Sequence, residues 1–242
     1  MATTYLRFEV LRSFRNRRFL ILSLTFPLVL YLVIAGANRH QHFDGAAFPL
    51  YFMTGMATLG TMSAVISSGA VIAAERSIGW TRQMRITPLT TRTYFGAKVV
   101  SGYLRAVLTI AVLCLAGSTF GVRLSAGEWL TLVGLLLVGL IPFALLGIVI
   151  GHLLHADSVA VAVGGIVTLF SLLGGAYAFL LAKSGPLFQI MKALPSYWLV
   201  QAGKTAVGSG SWPAEGWIVI GVWSAALLAL AVFVYRRDTS RA

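Results

Sequence analysis

Two small groups of histidine and acidic residues could bind a metal ion or carry out proton chemistry. They are His152, His155 and Asp157, and His40, His42 and Asp44. Zinc protease chemistry uses an H-E-x-x-H sequence on one helix, in which the glutamate activates water. Only leucines separate the two histidines of the first group, so that pattern is absent. We therefore expect no metal site and no catalytic residue, and an intramembrane enzyme using the first group is kept as an alternative.

The segment Gly203-Lys204-Thr205 resembles the end of a nucleotide-binding P-loop. The first glycine of that motif would fall at position 198, which is Trp198, so we expect no nucleotide site in this chain. The single cysteine, Cys114, excludes a disulfide within the chain and a cysteine-rich metal site. We expect no cofactor in this chain.

The elements that carry these residues are predicted to be membrane helices. Apolar residues make up 58% of the 242 residues and charged residues 11%, and the mean hydropathy is +0.85. A spanning helix needs about 20 apolar residues, and continuous runs of that length exclude the alternating strands of a barrel. The sequence predicts an all-α integral membrane protein, a single domain over residues 1–242. Its six predicted spans are residues 19–37, 48–74, 99–122, 129–151, 159–182 and 216–235.

The basic residues predict the orientation of these spans. Lysine and arginine are retained on the cytoplasmic side of membrane proteins. Of the 19 basic residues, most precede the first span, lie between the second and third, or follow the last. Both termini are therefore predicted to be cytoplasmic. The net charge of +12 is explained by this topology and by anionic lipid headgroups, so we expect no nucleic acid partner.

Two segments outside the spans are predicted to be helical. Residues 1–18 form an interfacial helix, with Leu6, Val10 and Phe14 on one face and Arg12 and Arg15 opposite. Residues 183–215 are apolar but interrupted by proline and glycine, so we expect short re-entrant helices on the outer side. An outer aromatic belt is predicted from Trp129, Trp198, Trp212 and Trp217.

The second span carries a polar face. Thr54, Thr61, Ser68 and Glu75 recur every seven residues, and Thr58 lies on the same side. Hydroxyls on such a face either bond to a neighbouring helix or line a pathway, and Thr54, Thr58, Thr61 and Ser68 are the candidate pathway residues. The glycine pairs Gly117 with Gly121 and Gly147 with Gly151 are typical of close helix approach.

A basic insert lies between the second and third spans, in residues 75–98. Ile78, Met84 and Leu89 offer apolar contacts, and three arginines offer charge to an acidic partner surface. Those arginines are Arg76, Arg82 and Arg85. Pro88 disfavours helical geometry at Thr87, so a short helix is predicted to end there. The alternative is that these arginines only enforce topology.

Glu75 stands at the predicted membrane boundary, where a carboxylate needs a partner. Arg76, Lys98 and Arg105 are its candidate partners. A pair with Lys98 or Arg105 would tie the second span to the third, so that motion of the insert becomes motion of helices.

The insert resembles the cytoplasmic loop of ABC-2 type transporter permeases, particularly the drug and antibiotic exporters related to the daunorubicin-resistance permease. The matching residues are Glu75, Arg76, Gly79, Arg82, Met84, Arg85, Thr87, Pro88, Leu89, Gly96 and Lys98. The likeness extends over the chain as a pattern of basic leader, six spans and broken outer segment. It implies a permease that dimerises with itself or a sister permease and pairs with a separate ATP-binding subunit, which binds ATP and Mg and receives a coupling helix in this loop.

The resemblance implies ATP-driven export of an apolar or amphipathic solute from the cell membrane. Drugs, antibiotics, lipids, lipid-linked glycans, peptides and heme are all open as substrates. A proton-driven multidrug carrier is a second alternative. This carrier alternative is weakened because all seven acidic residues fall outside the predicted spans, whereas such carriers use a carboxylate near the midplane.

Overall fold

The computed structural model describes residues 2–15, 17–43, 45–80, 83, 89–177 and 184–240, which are largely helical. A two-residue hairpin of β1 (His42–Phe43) and β2 (Ala46–Ala47) pairs antiparallel before the third helix. The helices are α1 (Ala2–Arg15), α2 (Arg17–Ala37), α3 (Phe48–Ser77), α4 (Thr91–Thr119), α5 (Ala126–Gly139), α6 (Ile141–Leu153), α7 (Ala156–Leu173), α8 (Gly185–Lys192), α9 (Pro195–Val207) and α10 (Ala214–Ser240).

Five helical segments of the described chain are long and apolar enough to cross a membrane. They are Phe48–Ser77, Thr91–Thr119, Ala126–Leu153, Ala156–Leu173 and Ala214–Arg237. The apolar part of α2, Ser23–Ala37, is shorter. The all-α membrane class is therefore confirmed, and the sixth span stays a prediction. The predicted span 129–151 consists of two helices, α5 and α6, which meet at Leu140 because Pro142 follows in the first turn of α6.

Helix α3 is the centre of the packing. In its most apolar stretch 83% of the residues are buried, and α2, α4, α6, α7 and α9 all contact it. Its approach to α6 is close because glycines lie at the crossing. A Cβ at Gly147 would stand 2.5 Å from the carbonyl oxygen of Ile66, and one at Gly151 would stand 2.5 Å from that of Gly69. The prediction from this glycine pair is confirmed, whereas Gly121 lies in the turn after α4, with φ +87°.

Helix α1 lies against α4, but its faces differ from the prediction. Leu6, Val10 and Phe14 are half-buried, as expected. Arg12, predicted to point away from the protein, contacts α3, and the buried Glu9 lies one turn before it on the same face. The amphipathic pattern therefore predicted the helix correctly but missed its polar contact with the helical bundle.

The predicted short helices of the outer segment are present as α8 and α9. Most side chains of α9 are buried, because the helix packs against α3 and α5. The prediction of an outer aromatic belt is wrong for Trp198 and Trp212, because both side chains are buried in the protein, 4% and 3% exposed. Trp198 Nε1 donates a hydrogen bond to the Lys192 carbonyl at 2.9 Å, whereas Trp217 is 42% exposed.

Candidate functional site

A charge cluster is buried at the end of α3, where the chain enters the basic loop. Glu75 lies in the last turn of α3 and is 1% exposed. Its Oε1 accepts hydrogen bonds from Lys98 Nζ at 2.5 Å and from Arg12 NH1 at 2.7 Å. Its Oε2 accepts one from the Tyr94 hydroxyl at 2.6 Å. A single carboxylate therefore connects α1, α3 and α4.

Helix periodicity explains how these side chains converge. Tyr94 and Lys98 are four residues apart on α4 and share a face, with Lys98 Nζ 5.3 Å from the Tyr94 ring centre. Glu9 and Arg12 are three residues apart on α1. Glu9 Oε1 accepts a second hydrogen bond from Lys98 Nζ at 2.7 Å. We call Glu9, Arg12, Glu75, Tyr94 and Lys98 the boundary cluster.

The boundary cluster balances its charges internally. Isolated buried charges are costly, and pairing with hydrogen bonds offsets that cost. Lys98 is 0% exposed and contacts two carboxylates, while the side chain of Arg12 is 45% exposed and lies at the edge. Burial lowers the pKa of Arg12, but its hydrogen bond and attraction to Glu75 more than reverse this, so its pKa is raised. Arg12 is therefore charged at any physiological pH.

Sequence reasoning identified part of this cluster. Lys98 is a partner of Glu75, as predicted. Arg76 donates to the carbonyl oxygen of His152 at 2.5 Å and of Gly151 at 3.4 Å, which ties the end of α3 to the end of α6. The sequence does not identify Arg12 as a partner of Glu75, because the amphipathic pattern of α1 predicts a helix that rests on lipid.

The loop itself is shorter than predicted. Helix α4 begins at Thr91, where the Thr90 side chain accepts a hydrogen bond from the Thr93 amide at 3.3 Å. Lys98 therefore lies in a helix and not in the loop, so the predicted loop boundaries 75–98 are too wide. At the other end Gly79 adopts φ +73°, which favours glycine, and turns the chain out of α3. Arg82, Met84, Arg85 and Pro88 lie outside the described residues.

A cleft of about 490 Å³ lies beside the boundary cluster, between α1, α3, α4 and α7. Its lining is Glu9, Arg12, Ser13, Ser63, Ser67, Ser68, Ala70, Val71, Ala74, Ser101, Arg105, Val159, Ala160, Val163 and Gly164. Of the four candidate pathway residues, Ser68 belongs to this lining. Its hydroxyl donates to the Lys98 carbonyl at 2.6 Å, so it also joins α3 to α4.

The three threonines of the predicted pathway are buried inside the subunit, each 0% exposed. The Thr54 hydroxyl lies 2.9 Å from the Val200 carbonyl on α9, and the Thr61 hydroxyl donates to the Ala57 carbonyl at 2.6 Å. The Thr58 hydroxyl has no hydrogen-bond partner among the described residues. The shared face of α3 is thus used for packing along most of its length.

The histidine groups do not form a metal site in the described part of the chain, where no group of three or more histidine, cysteine or acidic residues could hold an ion. His152 is buried, and its Nδ1 lies 2.9 Å from the Ile148 carbonyl. Its ring contacts Phe95 and Tyr235, so it packs α6 against α4 and α10. Asp44, of the second group, is outside the described residues.

Two comparisons with known proteins match most of this chain. The ABC-2 type transporter family matches residues 2–205, which include α1, the boundary cluster and the basic loop. The Bacillus subtilis (strain 168) protein named "Putative transport permease YvfS" is 26% identical over 232 residues, which is 95% of this chain and 95% of that protein. Since the family match extends over more than four-fifths of a chain of apolar membrane-length helices, the protein belongs to the ABC-2 type transporter family.

Proposed function

We propose that this chain is the transmembrane permease subunit of an ATP-driven ABC exporter. It moves an apolar or amphipathic solute, such as a drug, an antibiotic or a lipid-like molecule, out of the cell. ATP and Mg are bound by a separate ABC ATP-binding subunit, and a second permease copy or a sister permease completes the pathway. The protein lies in the cell membrane with both termini cytoplasmic. Membership of the ABC-2 family and the five membrane-length helices support this proposal.

The observation that carries the proposal is the position of the boundary cluster at the base of the basic loop. Glu75 lies four residues before Gly79, so motion of the loop acts directly on Glu75. From Glu75 it passes to α1 through Arg12 and to α4 through Lys98 and Tyr94. Arg76 passes it to the end of α6. Four helices are therefore connected to the segment proposed to dock the ATPase.

The ATPase-coupling residues divide into two roles. Glu75, Arg76, Gly79 and Lys98 are proposed to hold the base of the loop, and their contacts and the Gly79 turn support this role. Arg82, Met84, Arg85 and Pro88 are proposed to form the docking surface, where arginines face an acidic groove of the ATPase around an apolar contact. Ile78, 72% exposed at the start of the loop, adds to the apolar part.

Two kinds of position are proposed for the substrate pathway. Ser68 lines the cleft between α1, α3, α4 and α7, which gives a solute access from one side of α3. Thr54, Thr58 and Thr61 are buried in the single subunit, so they can contact a solute only if α9 or another neighbour separates from α3 during transport.

Co-purification and ATP hydrolysis test the proposal. The chain is purified in lipid with a co-expressed ABC ATPase, and vanadate-sensitive hydrolysis is compared between the wild type, Glu75→Ala and a matched control, Glu215→Ala. Glu215 forms a partly exposed pair with Lys192, which joins α10 to α8. We expect Glu75→Ala to retain the ATPase but to lose solute-stimulated hydrolysis, while Glu215→Ala behaves as the wild type.

If no ATPase associates and the chain still moves solute, the exporter proposal is wrong. Transport that collapses with the proton gradient would then identify a carrier. Chemistry that is abolished by alanine at His152 would identify an enzyme.

A further inference from the structure

The cleft beside the boundary cluster has the chemistry of a site for an anion. Arg105 and Ser101 are four residues apart on α4, so both face the cleft from adjacent turns. Arg105 is 9% exposed and Ser101 is 1% exposed. The Ser101 hydroxyl has no hydrogen-bond partner within the described chain. The Ser101 hydroxyl can therefore donate a hydrogen bond to a ligand in the cleft.

The opposite wall adds further donors. Ser63 and Ser67 are four residues apart on α3, are partly exposed and line the same cleft. Serine hydroxyls and a guanidinium together bind carboxylate or phosphate oxygens. The cleft thus presents hydroxyls from two helices around a single buried guanidinium.

The charge balance also favours an anion. Arg12, Lys98 and Arg105 lie in or beside the cleft, and the carboxylates of this group are Glu9 and Glu75. Three cations against two carboxylates leave an excess of one positive charge among these described residues. This net positive charge attracts an anion to the cleft.

The third side of the cleft is apolar. It is formed by α7, through Val159, Ala160, Val163 and Gly164. Only 17% of the most apolar stretch of α7 is buried, so most of this helix presents an exposed apolar surface. An alkyl chain can lie along that surface while its charged end stays with Arg105, whereas a small hydrophilic anion would gain nothing from it.

We propose that this cleft binds a monoanionic amphiphile, with its carboxylate or phosphate on Arg105 and Ser101, beside Ser63 and Ser67, and its tail along α7. The assignment of this ligand as cargo rests on the proposed exporter function, and binding itself does not. It narrows the solute class from apolar or amphipathic molecules to anionic amphiphiles.

Photolabelling of the purified permease in zwitterionic lipid nanodiscs, without any ATPase, tests the proposal. The probe is a diazirine-bearing fatty acid, compared with its uncharged methyl ester, and the labelled peptides are mapped by mass spectrometry. We expect the acid to label α3, α4 and α7 around the cleft, and the ester to label them about tenfold less, because a hydrogen-bonded charge pair is lost. Equal labelling by the ester would overturn the proposal.

Substitutions locate the site. Arg105→Gln should reduce labelling about tenfold and Arg105→Lys should restore most of it. If the Arg105 variants fail to fold, a glycine pair on α7 keeps the test decisive. A Cβ at Gly164 or at Gly165 meets nothing within 4 Å, but only Gly164 is among the cleft-lining residues. We expect Gly164→Leu to abolish labelling and Gly165→Leu to leave it unchanged; equal labelling of the two variants would exclude this cleft.

Competition by unlabelled anions for the probe site distinguishes an amphiphilic anion from a small hydrophilic one. Oleate and lysophosphatidate should displace the probe, and millimolar acetate or inorganic phosphate should not. Displacement by the small anions would overturn the assignment of an amphiphile. Because no ATPase is present, loss of ATP coupling cannot imitate a negative result here. A working ATP-driven exporter that fails the labelling test would refute this inference alone.

Discussion

Replacing Lys98 with methionine would remove a buried cation that contacts two buried carboxylates. Lys98 Nζ lies 2.5 Å from Glu75 Oε1 and 2.7 Å from Glu9 Oε1, and its side chain is 0% exposed. A second Lys–Glu pair provides a matched control. Lys192 Nζ also lies 2.5 Å from Glu215 Oε2, but those side chains are 29% and 64% exposed. The two pairs have the same separation and differ in burial.

The difference in burial between the two pairs sets the expected loss of unfolding free energy for each variant. Removing one partner from a buried ion pair leaves an uncompensated charge and costs about 3–5 kcal/mol. Arg12 and Tyr94 still hold Glu75 in the variant, so we expect the lower end, about 3 kcal/mol, for Lys98→Met. Lys192→Met should cost at most about 1 kcal/mol, because water screens and solvates an exposed pair.

Equilibrium unfolding in mixed micelles, with a rising fraction of SDS, measures both free energies. The double variant Glu75→Gln with Lys98→Met should be destabilised by less than the sum of the two single variants, by about 1–3 kcal/mol, because residues in contact are coupled. Equal losses for Lys98→Met and Lys192→Met, or an additive double variant, would refute the view that the boundary cluster is a coupled, buried unit.

Three further predictions follow from the contacts of α3 and the loop. Gly147→Ala should destabilise the protein by about 1–3 kcal/mol, because the new Cβ would meet the Ile66 carbonyl. Gly134→Ala, with open space around it, should be neutral or stabilising in the same unfolding assay, and equal effects of the two variants would contradict the close crossing of α3 and α6. Thr58→Val should not destabilise the protein, since the Thr58 hydroxyl has no hydrogen-bond partner among the described residues. Thr54→Val should cost about 1 kcal/mol because the hydrogen bond to the Val200 carbonyl is lost, and a larger loss of unfolding free energy for Thr58→Val would be inconsistent with these contacts. Replacing Arg82 and Arg85 with glutamate should abolish co-purification of the ATPase while membrane insertion is retained. The same replacement at Arg39 and Arg123, on the opposite predicted side of the membrane, should leave co-purification unchanged. Undiminished co-purification of the Arg82 and Arg85 variant would exclude a docking role for these two residues.

Local patterns predicted the helices well because they depend on residues close in sequence. The spacing of Leu6, Val10 and Phe14 predicted α1, and continuous apolar runs predicted the membrane-length helices. The predicted third span begins at residue 99, eight residues after the start of α4, because the apolar run that predicts the span does not extend back to Tyr94 and Lys98. In the structure Glu75 satisfies both side chains, so the helix can extend to the Thr90 cap.

Contacts between distant segments were less accessible from the sequence. The Arg12–Glu75 bond joins residues 63 positions apart, and no spacing rule relates α1 to the end of α3. The period of seven placed Thr54, Thr61, Ser68 and Glu75 on one face, but tertiary packing decides what each of them meets. Thr54 meets α9, Ser68 meets α4 and the cleft, and Glu75 meets the boundary cluster. A positive signal for the cluster was the pair of carboxylates in α1 and α3 among many basic residues.

Transport by the reconstituted complex tests the central claim most directly. The permease and its co-purified ATPase are placed in proteoliposomes, and solute movement is followed after adding ATP, with either vanadate or a protonophore. We expect ATP to drive movement, vanadate to stop it and the protonophore to leave it unchanged. Movement that ignores vanadate and stops with the protonophore would contradict the assignment of this chain as the permease of an ATP-driven exporter.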